Sequence, residues 1–184
     1  MAKTLQDFEK EQLKIAKQQQ SDYASQKRAL TNNKISQTVA ALSAGAQPAI
    51  RQAKQQQAAL PAKYQPQYDY NEIKRQVSAR KIRESMANRG LHFSGTETAA
   101  LAGAVNAQRI ADTAVSTNKR KEETDISNKV ASLNGNLQAK QKQQTANLRA
   151  SAEKEILANE QSLLKAAKSR ALTLYKQSLT QKKR

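Results

Sequence analysis

Cysteine and tryptophan are absent from these 184 residues, and histidine occurs once, at His92. Without cysteine there is no disulfide framework, no thiolate metal site and no cysteine nucleophile. With no tryptophan, five tyrosines and two phenylalanines, the chain has few rings on which nucleobases could stack, so sequence-specific or single-strand recognition is not supported. Large apolar residues are sparse as well. Leu, Ile, Val and Phe make up 31 residues, or 17%, below the roughly 20% that separates ordinary globular chains from disordered ones when net charge is high. The longest near-apolar run, Ala99 to Val105, falls far short of the roughly 20 residues that span a bilayer. The stretch Met1 to Glu9 meets Asp7 and Glu9 without an apolar core, which argues against a signal or transit peptide.

What the chain does have is 31 Ala, 23 Gln and an excess of bases, 32 Lys and Arg against 15 Asp and Glu, for a net charge of +17. Ala, Gln, Lys, Arg, Glu and Leu all favour helix, and only five Gly and three Pro interrupt them, so the composition predicts an all-α fold of elongated helices with thin apolar seams. Such seams need another helix to pack on, which points to a coiled-coil-like bundle formed with partner chains. Apolar spacing predicts helices over residues 4–44, 71–89 and 95–181. The last is either continuous or broken at Asn134-Gly135, a pair that costs a helix about 1 kcal/mol without forbidding it. Pro48, Pro61 and Pro66 share one window with Tyr64, Tyr68 and Tyr70. That window reads as a Pro/Tyr linker over 48–70, because a proline pushes the residue before it out of the helical region. The expected organisation is thus an N-terminal helical segment 1–47, the linker, and a helical hairpin 71–184 with a long basic C-terminal helix.

The sharpest local signal lies at 90–97. Gly90 stands where a left-handed residue would close a helix, and Leu91 is placed to fold back on its last turn. Ser94 and Glu97 have the spacing of a capping box for the next helix. Gly90, Leu91, Ser94 and Gly95 therefore form the expected turn of an antiparallel hairpin.

No constellation of residues suggests catalysis. His92 lies near Ser94, but no buried acid or oxyanion cradle accompanies them, so it reads as a turn residue. Glu122, Glu123 and Asp125 are flanked by Lys119, Arg120, Lys121 and Lys129, which reads as ion pairs along a solvated helix face rather than a metal site. No cofactor is called for, and the expectation is a non-enzyme. The charge is most one-sided at the C-terminus. Nothing acidic follows Glu160, while Lys165, Lys168, Arg170, Lys176, Lys182, Lys183 and Arg184 do. These bases are the candidate nucleic-acid-binding residues, suited to phosphates without regard to sequence. On the other side of that helix Leu163, Leu164 and Leu174, with Ala167 and Ala171, make a candidate assembly seam. A membrane-surface role is disfavoured, because the apolar side is mostly alanine and lacks Trp or Phe anchors.

The run Ile82-Arg83-Glu84-Ser85-Met86-Ala87-Asn88-Arg89-Gly90-Leu91, followed by Ser94-Gly95-Thr96, resembles small helical virion proteins of tailed bacteriophages. In those chains an Ala/Gln-rich helix ends in an Ala-x-x-Gly-Leu-x-x-Ser-Gly turn and a second long helix returns. A Pro/Tyr-containing segment like Leu60 to Tyr70 precedes it. The likeness covers residues 60–135 and departs from the pattern at His92-Phe93, where polar residues are the rule. It implies a virion structural protein, internal, neck-associated or ejected with DNA, whose partners are other copies of itself, portal or tail proteins and DNA. It assigns no catalytic residue. The residues alone also accommodate a cellular, cytoplasmic helical protein that binds nucleic acid non-specifically, and a phage scaffolding protein.

Overall fold

The computed structural model describes residues 4–181 and consists of two helices, α1 over Leu5–Asn88 and α2 over Gly95–Gln181, joined at 89–94 as an antiparallel hairpin. No strand occurs among the described residues. The helices contribute to two compact units: a terminal unit, Met1–Gly45 with Leu137–Arg184, and a turn unit, Ala46–Asn136. The start of α1 is fixed by Thr4, whose hydroxyl accepts the Asp7 N–H at 3.3 Å while the Asp7 carboxylate accepts the Thr4 N–H at 2.8 Å. That reciprocal pair satisfies two donors that the first turn leaves open.

The expected linker is not a linker. Residues 48–70 are helical throughout, and α1 passes through Pro48, Pro61 and Pro66 without interruption. Each proline lacks an N–H, forfeits one hydrogen bond and crowds the carbonyl four residues back, at a cost of about 3 kcal/mol. All three are exposed, so the damage falls on the side of the helix where water can serve the freed carbonyls. The packed face, roughly opposite Pro48 and Pro66 and flanked by Pro61, holds the chain in place. Ala53 is 1% exposed, Leu60 3% and Tyr64 7%, and they cluster with Val115 and Ile126 of α2, with Tyr68 and Val130 packed alongside. Burial of each large side chain contributes about 1.5–3 kcal/mol. Leu60, Tyr64 and Tyr68, at four-residue steps, place two of the three crowded tyrosines on a packed helical face, while Tyr70 is exposed. The Asn134-Gly135 pair likewise lies within an unbroken α2.

The helix that the thin seams require is supplied by the chain itself. In the terminal unit the contacts run from Gln20 with Asn159, through Arg28 with Glu153, to Ser43 with Gln141. In the turn unit they run from Tyr64 with Glu122 to Glu72 with Gln108. In α2 the seam recurs at steps of four and three, as in Leu148, Ala152, Ile156, Asn159, Leu163 and Ala167, all buried or half-buried. Three such steps make eleven residues, a repeat of about 3.67 per turn, slightly longer than the 3.6 of a straight helix, the period of a right-handed seam. Alanine and glutamine occupy many seam positions. The glutamines and asparagines there bond across the pair: Gln20 Nε2 donates to the Ile156 carbonyl at 2.9 Å, Asn159 Nδ2 to Gln20 Oε1 at 2.9 Å, and Asn71 Nδ2 to Asp112 Oδ1 at 2.9 Å. Slipping the helices would strand these groups, so they fix the register where apolar surface is too thin to do so.

Candidate nucleic-acid interface

The turn connects two helices by a complete stop and a complete start. Gly90 adopts φ 69°, its N–H donates to the Ala87 carbonyl at 3.0 Å, and the Leu91 N–H donates to Met86 at 2.9 Å. This is the pair of bonds that closes a helix through a left-handed residue. Ser94 Oγ then accepts the Glu97 N–H at 3.2 Å. The return half of the capping box is shifted by one residue. Glu97 Oε2 accepts from the Phe93 N–H at 2.6 Å, because the Ser94 N–H is already given to the Leu91 carbonyl. Gly95 is the first residue of α2, where the expected helix over 95–181 begins. His92 Nδ1 lies 3.2 Å from Glu97 Oε2, and its ring centroid is 3.8 Å from that of Phe93. Sequence reasoning missed Phe93 itself. It takes φ 62° and is 90% exposed, a conformation that side chains with a Cβ oppose; the Glu97 carboxylate on its N–H holds it there.

Three acids among the described residues are engaged by cations across the helix pair. Glu155 pairs with Lys27, and Glu153 pairs with Arg28 at 3.1 Å, both in the terminal unit. Glu122 was expected to pair along its own helix. It instead accepts Lys63 Nζ at 2.6 and 2.7 Å and the Tyr64 hydroxyl at 2.8 Å. Those hydrogen bonds, first from Lys63 and then from Tyr64, lower the Glu122 carboxyl from its ordinary value and raise Lys63 and Tyr64 from theirs. Glu72 is held at about 2 by hydrogen bonds from Arg75 and then Gln76, with Gln108 of α2 adding a third.

The C-terminal bases stand apart from this pairing. Lys165, Lys168, Arg170 and Lys176 are all exposed, and among the described residues none of them has an ion-pair partner. Lys182, Lys183 and Arg184 lie outside the described residues. The bases do not form one patch. Arg170 sits at the groove with α1, lining a cavity of about 150 Å³ with Ile15, Ala16, Leu163 and Ala167, whereas Lys165 and Lys176 lie on the outward side.

The seam residues divide similarly. Ala167 and Ala171 are buried at 5% and 0% exposure, and Leu163 and Leu164 are half-buried. Leu163 shares the cavity lining with Ile15 and Ala16 of α1, so its packing partner is this chain's own α1. Leu174 remains exposed, as do Leu157, Leu172 and Leu179. In the turn unit a cavity of about 110 Å³ lined by Asn71, Lys74, Arg75, Ser78 and Gln108 is well below the roughly 300 Å³ of small-molecule sites. Among the described residues no group of three His, Cys, Asp or Glu is placed to hold a metal ion, and no helix is long and apolar enough to cross a membrane. Comparison with protein-family models, with curated proteins and with solved structures gives no match.

Proposed function

We propose that the chain is a non-enzymatic structural component of a tailed-phage virion, internal, neck-associated or ejected with DNA, whose basic helical surface lies against DNA or acidic virion proteins. The observation that carries this reading is the uncompensated charge of α2 beyond Glu160. Upstream, Glu153 and Glu155 are engaged by Arg28 and Lys27. Downstream, four described cations stand exposed with no acid following them in the sequence. Free cations of this kind release counterions when they neutralise phosphates, which yields affinity without sequence preference. The exposed Leu157, Leu172, Leu174 and Leu179 supply apolar surface for packing on other copies or on portal and tail proteins.

The test is mass spectrometry of purified particles of the phage encoding the chain, together with binding of the full chain to two unrelated duplexes. The proposal expects a stoichiometric virion protein and equal affinity for both duplexes. Absence from finished particles favours scaffolding. Binding to cellular RNA or DNA without any particle favours the cellular alternative.

A further inference from the structure

The outward side of α2 in the terminal unit carries a pattern that the charge count does not reveal. Lys154, Lys165 and Lys176 recur every eleven residues, and each stands two positions before a seam residue, Ile156, Ala167 and Ser178. Two positions are about 200° of rotation, so the three lysines occupy one line on the side away from α1. Because the seam follows the same eleven-residue repeat, the line keeps its place opposite α1 along the pair, with a right-handed drift of about 20° per repeat. All three lysines are exposed. Nearest to the line between them lie Ala158 and Gln161, then Ser169 and Leu172, all exposed. The acids next to Lys154 are paired on the α1 side, Glu153 with Arg28 and Glu155 with Lys27. The line is therefore nearly straight, positive and free of acids.

From this arrangement we infer that the Lys154–Lys165–Lys176 line is a rail for duplex DNA lying along the helix axis. The inference rests on the DNA reading above and names the surface and form of nucleic acid involved. At 1.5 Å per residue the first and third lysines are about 33 Å apart and the middle one about 16.5 Å from each. A turn of B-DNA advances about 34–36 Å. A line along one side of a duplex meets the two phosphate backbones in alternation, twice per turn. Lys154 and Lys176 thus reach the same strand one turn apart, and Lys165 reaches the opposite strand between them. The flexible lysine stems absorb the unequal groove widths. A single strand presents no such fixed spacing, and the line offers it no stacking ring.

The test measures binding of the full chain to a mixed-sequence duplex of about two turns by fluorescence anisotropy across a salt series. Exchanging neighbours, K165A with A166K and K176Q with Q177K, preserves composition and net charge but moves two cations off the line. The expected result is a slope of log affinity against log salt that falls by about 1.8, or about 0.9 per phosphate contact, with helix content unchanged by circular dichroism. An exchange variant with the wild-type slope overturns the rail while leaving non-specific binding intact. A wild-type chain that binds no duplex at any salt overturns the DNA reading itself. Should the exchange reduce helix content, K165Q/K176Q is compared with R149Q/R170Q, which removes equal charge off the line; equal slope losses overturn the rail.

Discussion

Replacing Pro61 by alanine should stabilise the hairpin, and the amount is set by where the ring sits. Pro61 is exposed, and its neighbours Leu60 and Tyr64 carry the packing at 3% and 7% exposure. Nothing in the core is lost with the ring, while the substitution restores an N–H to bond the Gln57 carbonyl and removes the clash with it. The helix-interior penalty of proline relative to alanine is about 3 kcal/mol, less about 0.4–1 kcal/mol returned because alanine frees the unfolded chain. A gain of about 2–2.5 kcal/mol follows. Leu60→Ala should do the reverse. Buried leucine truncations cost about 2–5 kcal/mol, and a two-helix seam open to solvent on both flanks belongs near 2–3. Urea denaturation followed by far-ultraviolet circular dichroism measures both, with the denaturant slope as a check that the same transition is compared. The double variant should return close to wild type, and any departure measures the coupling of these adjacent residues. A destabilised Pro61→Ala protein would refute the reasoning, since it would mean that the proline contributes to the fold rather than being carried by the packed face beside it.

Other expectations follow from the same contacts. Gly90→Val should cost about 1 kcal/mol or more in thermal unfolding, because its φ of 69° and not crowding opposes a β-branched side chain; a Cβ there meets nothing within 4 Å. Phe93→Gly should stabilise by about 1 kcal/mol through relief of its left-handed backbone, provided the Glu97 bond to its N–H persists. Glu72, at about 2 in the folded chain, binds its proton more readily when unfolded. Its contribution is thus complete above the ordinary carboxylate range and is lost as pH falls from there toward 2; melting curves should show that decline, and Glu72→Gln should flatten it. Changing Leu157, Leu172 and Leu179 to Gln should leave helix content intact but lower incorporation into particles; normal incorporation would remove these leucines from the assembly surface.

The turn was legible because its signals are local. Gly90, Leu91, Ser94 and Glu97 act within one or two turns of one another, so spacing alone places the helix stop and start. The all-α class was legible from Ala and Gln content for a similar reason. The three prolines were not. Proline carries a strong local penalty, and whether a helix tolerates it depends on which side the ring faces, which only the burial of Ala53, Leu60 and Tyr64 against α2 reveals. The partners of charged groups were equally hidden. Glu122 has bases beside it in sequence but bonds Lys63 and Tyr64 from the other helix. A similar limit applied to the stripe at Leu163, whose period shows that it packs but not on which helix. The eleven-residue spacing of Lys154, Lys165 and Lys176 was present in the sequence from the start; only the seam at Ile156, Ala167 and Ser178 shows that they face outward together.

The most direct measurement of the central claim is the affinity of the full chain for two duplexes of unrelated sequence, each followed from low to physiological salt. A basic helical surface that contacts phosphates alone predicts superimposable linear plots of log affinity against log salt. Plots that differ between the two sequences, or an affinity indifferent to salt, would contradict it.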